Sequence, residues 1–145
     1  MSLIQPPQIP GPSSSVPSLN HGLRISSTGM TAEKFRMDVI SSNIANIHSV
    51  KINGKDPYRR RMVSLAGGNS GPAITGIVQD QSPFRVHYDP GSPLADANGN
   101  VYYSNVEPLY EAIDMMNASR AYELNVAAFN TTKRMTQKAL DIGRS

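Results

Sequence analysis

The hydrophobic positions in the first third of the chain follow a helical repeat. Leu23, Met30, Met37 and Ile44 recur every seven residues, a spacing that places them along one side of an α-helix. Serine and asparagine crowd the same turns, although a helix with one wet side ordinarily carries charges there. The pattern therefore predicts a helix over residues 20–47 that contacts partners on more than one side.

A second helical repeat covers residues 104–145. Its apolar positions include Leu109, Ile113, Met116 and Leu124, with asparagine and threonine between them. At a rise of about 1.5 Å per residue this helix would be on the order of 55 Å long. We therefore expect it to be too long for the middle of this short chain to cover.

Both ends of the second helix carry residues that are typical of helix termini. Asn105 is the predicted N-cap, which places Pro108 in the first turn, where its missing N–H costs no intrahelical hydrogen bond. Gly143 is the predicted C-terminal stop. These residues predict a helix that starts after Asn105 and ends at Gly143.

Residues 48–103 are richer in Gly, Pro, Asn and β-branched residues, a composition that favours short strands and turns. The predicted strands are 58–65, 74–79, 84–88 and 100–103. Asn98 and Gly99 are predicted to form a type I′ hairpin turn, since both central residues of that turn need positive φ. The predicted fold class is α+β: two long terminal helices form a coiled-coil-like layer, with a small β-rich domain inserted between them.

Residues 1–19 form a compositionally distinct segment. They contain five of the eleven prolines and a run of three serines, which predicts an extended tail rather than a packed element. The segment lacks a basic region and a continuous apolar run, so no secretory signal peptide is expected. No stretch of the chain reaches the roughly 18 apolar residues that a membrane span requires, so no direct membrane insertion is expected.

The composition suggests that burial is completed by other molecules. The 145 residues suffice for one domain, but the apolar fraction of 39% and the aromatic fraction of 6% are low for a compact globule. The absence of cysteine excludes disulfides and thiolate metal ligands. We therefore expect one domain that depends on contacts outside the chain.

The net charge of +3 is spread along the chain, and only Arg59, Arg60 and Arg61 cluster. A nucleic-acid-binding protein usually shows a basic face with interleaved aromatic residues, so no nucleic acid is expected. On a strand the three arginines would alternate between faces. They are either an exposed edge protected by charge or an electrostatic contact to acidic neighbours, and the sequence leaves both interpretations open.

Enzymatic chemistry is not expected. His21, His48 and His87 are far apart in sequence and lack metal-ligand spacing. The acidic residues of the helices, among them Asp114 and Glu123, have no accompanying nucleophile, and ion pairing explains them equally well. We therefore predict no catalytic residue, no metal site and no cofactor.

Two long helices with small polar residues beside their apolar positions are best explained by a subunit of a helical assembly. The alternative is a small non-enzymatic binding module that folds on one partner. In the assembly interpretation, the candidate interface residues are Leu23, Met30, Met37, Ile40, Asn43, Ile44, Asn46, Leu109, Ile113, Met116, Leu124, Asn125, Ala128 and Met135.

Three blocks of sequence carry a resemblance to a known family. The first is RISSTGMTAEKFRMDVISSNIANIHSV, the second comprises PYRRR and GIVQDQSPFRVHYDPGSPLADANGNV, and the third is VEPLYEAIDMMNASRAYELNVAAFNTTKRMTQKALDIGR. Together they resemble the bacterial flagellar axial family of rod and hook proteins, and within it the proximal-rod subunits. The resemblance covers residues 22–144, and the tail departs from the family pattern.

The resemblance implies a non-enzymatic structural subunit of the flagellar basal-body rod, the hollow drive shaft that crosses the periplasm. It implies that the terminal helices pack with copies of the chain, with other rod subunits, with the adaptor at the junction of the MS ring and the rod, and with the surrounding ring. It also implies export by the flagellar type III apparatus without a cleaved signal. Another axial component remains an alternative within the family.

Overall fold

The computed structural model describes residues 19–144, and its architecture is α+β. The predicted extended tail, residues 1–19, lies outside the described residues except for Leu19, where the first helix begins. The elements in chain order are α1 (Leu19–Ala45), β1 (Arg61–Ala66), β2 (Ala73–Gln79), β3 (Arg85–Tyr88), β4 (Asn100–Tyr103) and α2 (Pro108–Gly143). The two helices thus enclose the strand region in sequence.

The strands form two separate antiparallel pairs rather than one sheet. β1 pairs with β2 from Arg61 opposite Gln79, with an irregularity in register after Ser64. β3 pairs with β4, and Tyr103 at the end of β4 forms an isolated bridge with Val50. Two-stranded pairs are marginal by themselves, so each pair depends on its contacts with the rest of the chain.

The first strand starts later than the sequence pattern predicts. The N–H of Tyr58 donates to Ser49 Oγ at 2.9 Å, and the N–H of Arg60 donates to Asn105 Oδ1 at 2.7 Å. Side chains therefore satisfy the backbone that would otherwise pair with a strand, and β1 begins at Arg61. The predicted strand over 58–65 was wrong in its first three residues.

The predicted N-cap of α2 was wrong, whereas the predicted end of the helix at Gly143 was right. α2 begins at Pro108, and its N-cap is Glu107, which makes no side-chain capping hydrogen bond. Asn105 instead bridges two loops, since its amide also donates to the carbonyls of Asp80 and Ser82 at 3.2 Å. Gly143 is the last helical residue and not a left-handed stop, because it is not among the glycines with positive φ.

The type I′ turn lies at a different Asn-Gly pair from the predicted one. Asn53 and Gly54 have φ of 52° and 78°, and Ile52 and Lys55 on either side of them form a bridge. In the predicted pair only Gly99 has positive φ. The loop before β4 is organised instead by the Asp96 carboxylate, and the hydrogen bond that it accepts from Asn100 N is the largest factor that lowers its pKa.

α1 and α2 pack against each other in antiparallel orientation. A Cβ at Gly29 would lie 2.7 Å from Asn125 Oδ1, and a Cβ at Gly22 would lie 3.5 Å from Thr132 Cγ2. At the other end of the pair, Asn43 of α1 hydrogen-bonds to Glu111 of α2. The absence of a side chain at Gly29 therefore permits a close approach of the two helices.

The apolar core is made of small and medium side chains without an aromatic residue. The buried apolar residues of the described chain are Ala32, Val39, Ile40, Val101, Val106 and Ala118. Burial of this kind contributes at most about 3 kcal/mol for each Val or Ile. The core is therefore small for a chain with two helices of 27 and 36 residues.

The loop between β1 and β2 attaches the first hairpin to the side of α1. Thr28 Oγ1 donates to the Ser70 carbonyl at 3.1 Å, and Arg24 Nη2 donates to Ser70 Oγ at 3.0 Å. Gly71 has φ of 101°, and a Cβ there would lie 2.3 Å from Thr28 Oγ1. Only glycine fits this contact without strain.

We predict that Gly71→Ala lowers the free energy of unfolding by about 2 kcal/mol, because the new Cβ meets α1 and the positive φ is unfavourable for alanine. Urea unfolding followed by circular dichroism measures this. Gly67→Ala in the same loop, where a Cβ would meet nothing within 4 Å, is the matched control. Equal midpoints for the two variants would show that the loop does not dock.

Candidate assembly surface

The side of α2 that faces α1 is small and polar. Glu111, Ala118, Asn125, Thr132 and Thr136 recur at intervals of seven or four residues and are buried or half-buried. Side chains at these intervals share one face of a helix. The contact between the two helices therefore uses alanine and polar residues, not the long apolar side chains of α2.

The large apolar side chains of α2 form an outward stripe, which we define as Leu109, Ile113, Met116, Leu124 and Met135. At 100° per residue these positions lie between about 100° and 180° around the helix axis from Ala118. Each of these residues is between 46% and 71% exposed. The apolar stripe therefore runs along most of the helix and lies open on the side away from α1.

A buried asparagine joins α1 to the start of β1. Asn43 Nδ2 donates to the Arg61 carbonyl at 2.8 Å, and Asn43 Oδ1 accepts from the Arg61 N–H at 2.9 Å. The side-chain amide thus pairs with one residue of the chain as a neighbouring strand would. Asn43 Oδ1 also accepts from the Tyr58 hydroxyl at 3.0 Å.

The same asparagine connects these elements to α2. Asn43 Nδ2 donates to Glu111 Oε2 at 3.0 Å, and Glu111 is the largest fully buried side chain in the described part of the chain. Glu111 Oε1 accepts from Arg60 Nε, and Arg60 Nη2 donates to Asp114 Oδ2 at 2.8 Å. We call these four residues, Asn43, Arg60, Glu111 and Asp114, the polar junction.

Electrostatics keep the polar junction ionised at its centre. Burial by itself lowers the pKa of Arg60, but the hydrogen bond that Arg60 donates to Glu111 and the charges of Glu111, Asp114 and Asp80 outweigh it, so that the pKa is raised above its ordinary value. The guanidinium of Arg60 therefore stays charged at neutral pH. A buried charge is tolerated only when it is paired in this way.

The polar junction fixes the direction of the outward stripe. It ties the C-terminal end of α1, the residues before β1 and the first turns of α2 to one another. The contacts of Glu111 fix the rotation of α2 about its own axis. Because Leu109 and Ile113 flank Glu111 on the helix, their outward direction follows from the buried contact.

The arginine triplet is divided among three environments. Arg59 stacks on Phe84 at 4.2 Å and donates to the carbonyls of Asp80 and Ser82. Arg60 lies in the polar junction. Arg61 is exposed and stacks on Tyr58 at 5.2 Å. Of the three side chains, Arg61 is therefore the one that lies most open to a neighbour.

The candidate interface residues of α1 are less open than those of α2. Ile40 and Asn43 are buried within the chain, whereas Leu23, Met30 and Met37 are half-buried. Ile44 is exposed. Asn46 is half-buried and donates to the Ser42 carbonyl at 2.8 Å. α1 thus contributes mainly to the inside of the molecule, and α2 presents the open surface.

The remaining candidates on α2 lie on different sides. Asn125 is half-buried against α1, and its amide donates to the Ala121 carbonyl. Ala128 is exposed. Sequence reasoning missed Glu111 and the exposed Tyr110. The seven-residue recurrence of Glu111, Ala118, Asn125 and Thr132 was the available signal for a second, small-residue face.

The outward stripe has the properties of a contact surface. Within residues 19–144, no group of three or more His, Cys, Asp or Glu side chains could hold a metal ion. The described helices include none that is long and apolar enough to cross a membrane. The main chemical property of the outward stripe is its exposed apolar area, and a contiguous exposed apolar area marks an interaction site.

Comparisons with known proteins place these features in a family. Residues 23–48 match the model described as flagella basal body rod protein, and residues 97–142 match the model described as flagellar basal body rod FlgEFG protein C-terminal. The flagellar basal-body rod protein FlgC of Bacillus subtilis is 41% identical, with 86% of this chain and 97% of the relative covered.

Two further relatives carry the same description. The FlgC protein of Salmonella typhimurium is 36% identical, with 83% of this chain and 94% of the relative covered. The FlgC protein of Borreliella burgdorferi is 35% identical with the same coverage. The chain therefore matches nearly the whole length of each of these relatives.

We predict that Asn43→Ala destabilises the chain by about 3 kcal/mol, because the Arg61 backbone groups and Glu111 Oε2 all lose a partner. Asn46→Ala removes only a local hydrogen bond within α1 and is the control, with an expected cost below about 1 kcal/mol. Urea unfolding of both variants provides the comparison. Similar losses of unfolding free energy in the two variants would mean that the polar junction stabilises the chain no more than a local hydrogen bond does.

Proposed function

The chain belongs to the FlgC family of flagellar basal-body rod proteins and is a structural subunit of the rod, and on this premise we propose that its outward stripe is the surface through which it assembles. The observation that carries the proposal is the exposure of Leu109, Ile113, Met116, Leu124 and Met135 along one side of α2. The neighbours proposed to cover this stripe are other axial subunits and copies of the chain.

The distribution of buried and exposed apolar residues supports this function. Leu124, at 71% exposure, is more open than any residue of the small apolar core. A helix of 36 residues that packs against α1 on one face leaves the side chains of the outward stripe exposed to water, which is unfavourable by about 25 cal/mol for each Å² of apolar surface. Packing against neighbouring helices removes this area from water and makes assembly favourable.

The spacing of the stripe supports helix-to-helix packing. Leu109, Ile113 and Met116 follow intervals of four and three, as in the seams of coiled coils. We propose that α1 and α2, as an antiparallel pair, join equivalent pairs of other subunits in a coiled-coil-like layer that forms the wall of the rod. The thioether side chains of Met116 and Met135 suit such packing, because they adapt to neighbours that are not identical.

The helices and the β region have different roles in the proposed assembly. We propose that residues 20–47 and 104–145 form the helical rod core, and that residues 48–103 form a small β domain beside it. In this arrangement Arg61, with Ile44, Asn46 and Ala128, lies at the edges of contacts between subunits. Arg59 and Arg60 act indirectly, since Arg59 holds the loop after β2 within the β domain and Arg60 joins that domain to α2.

The further partners and the location of the chain follow from its role as a rod subunit. We propose that the chain also contacts the adaptor at the junction of the MS ring and the rod, and the ring that surrounds the rod in the periplasm. We propose that it reaches this position through the flagellar type III apparatus without a cleaved signal peptide. The assembled rod transmits torque for motility. In this proposal the chain binds no cofactor or nucleic acid and does not insert directly into the membrane.

We predict that Leu124→Asp abolishes swimming when it replaces the native chain, because a charge cannot be buried between apolar neighbours without a partner. The urea midpoint of the isolated variant should stay unchanged, since the wild-type side chain is exposed. Motility in soft agar and isolation of rods measure the effect.

Asn130→Asp adds the same charge to an exposed position on another side of α2 and should leave swimming intact. Normal swimming of the Leu124→Asp strain would contradict the proposal. A Leu124→Asp chain that binds one dominant partner in a one-to-one complex would instead favour a binding module or another axial role.

A further inference from the structure

The outer edge of β2 is open to a neighbouring strand. The Asp80 N–H donates to the Arg60 carbonyl at 2.9 Å, and the next pair along the strands is Arg61 with Gln79. Hydrogen-bonded and non-hydrogen-bonded positions alternate in an antiparallel pair, so the backbone groups of Gln79 and Ile77 point away from β1. Within residues 19–144 no further strand joins this pair.

The opposite edge of the pair, on β1, faces α1. The Asn43 amide binds both backbone groups of Arg61, so β1 turns its outer edge towards the helix and β2 lies on the far side. Every residue of β2 except Gly76 is exposed. The Gln79 carbonyl accepts a local hydrogen bond from Gln81 Nε2 at 3.2 Å, an exposed contact that an added strand would replace.

The sequence of β2 lacks the features that protect an edge strand from pairing. AITGIVQ contains no charged residue and no proline, whereas soluble proteins commonly blunt an exposed edge with lysine, proline or an inward-pointing charge. Ile77 and Val78 are 47% and 52% exposed. An extended strand suits this edge, because its N–H and C=O groups have the matching spacing.

β3 has an open edge of the same kind. The Asp89 N–H donates to the Gly99 carbonyl at 2.9 Å, so by the same alternation the backbone groups of Tyr88 and Val86 point away from β4. In the described part of the chain β4 is the one strand that pairs with β3. All four residues of β3 are exposed.

We propose that β2 of one copy pairs with β3 of a neighbouring copy, in an antiparallel register that sets Ile77 opposite Tyr88 and Gln79 opposite Val86. The two outward-facing residues of each strand then meet, and each pair forms two backbone hydrogen bonds. Ile77 with Tyr88 is a pairing of a β-branched with an aromatic side chain, which stabilises sheets.

Charge complementarity supports this register. The position after Gln79 is Asp80, and the position before Val86 is Arg85, so the register brings residues of opposite charge opposite each other. Opposite charges across two strands stabilise the pairing, whereas like charges destabilise it.

The two edges do not meet within one chain, although only residues 80–84 join β2 to β3. Asn105 Nδ2 donates to the carbonyls of Asp80 and Ser82 at 3.2 Å, and Arg59 Nη1 donates to the same two carbonyls. These contacts hold the link between the strands, and β3 pairs with β4 instead. Complementary edges that are held apart in one chain are available for pairing between copies.

The proposed pairing joins two different edges, so it has a direction. A contact between different surfaces can continue from copy to copy, whereas β2 paired with β2 would be self-complementary and would stop at a dimer. The inference rests on the proposed function in one respect, namely that copies of the chain are neighbours in the rod. It adds a backbone contact between the β regions to the helix contacts of the outward stripe.

The natural absence of cysteine allows a direct test in assembled rods. Two differently tagged full-length chains, one with Val78→Cys and one with His87→Cys, together replace the native chain. In the proposed register these positions form a non-hydrogen-bonded pair with Cα atoms about 4.5 Å apart, which is within the range of a disulfide. Mild oxidation of isolated rods should give a dimer that carries both tags.

The matched control combines Val78→Cys with Val86→Cys. Val86 is exposed on the same strand, but its side chain points to the other face of the sheet from that of His87. We expect the control to give at least about ten times less of the dimer with both tags.

Equal yields for the two combinations, or rods without the dimer that carries both tags, would overturn the strand pairing and leave the outward stripe untouched. Dimers formed mainly between two Val78→Cys chains would overturn it in favour of β2 paired with β2. An intramolecular disulfide as the main product of a single chain with both Val78→Cys and His87→Cys would overturn it in favour of pairing within one chain. The role of the outward stripe is tested separately by swimming of the Leu124→Asp strain.

Discussion

The hydrogen bonds of the Asn43 side chain are the contact on which the rest of the molecule depends. One amide group pairs with both backbone groups of Arg61 and also reaches the buried Glu111. Each of these buried groups would be costly without a partner. Since the apolar core is small, these polar contacts set the relative position of α1, β1 and α2.

This arrangement explains why the two helices meet through small polar residues. Gly29 lies against Asn125, and the buried Glu111 hydrogen-bonds to Asn43 at one end of the contact. A close pair of helices with specific polar contacts does not need long apolar side chains between them. Leu109, Leu124 and Met135 are thereby left on the outside, on the surface that we propose for assembly.

Much of the secondary structure could be predicted from the sequence, because helical periodicity and turn residues are local signals. Periodicity also grouped Leu109, Ile113 and Met116 on one side of α2. It could not show which side meets α1, since that depends on Glu111 and Asn43 across the chain. Asn105 had the residue type of an N-cap, but its tertiary hydrogen bond with Arg60 determined its position.

Amide hydrogen exchange on the purified full chain, resolved by peptide, tests the central claim most directly. If the polar junction holds the monomer together and neighbours complete the helices, protection should be strongest around Asn43, Arg61 and Glu111 and should fall towards the far half of α2, near Met135. Uniform strong protection along both helices would contradict the account, because it would describe a domain that needs no neighbours.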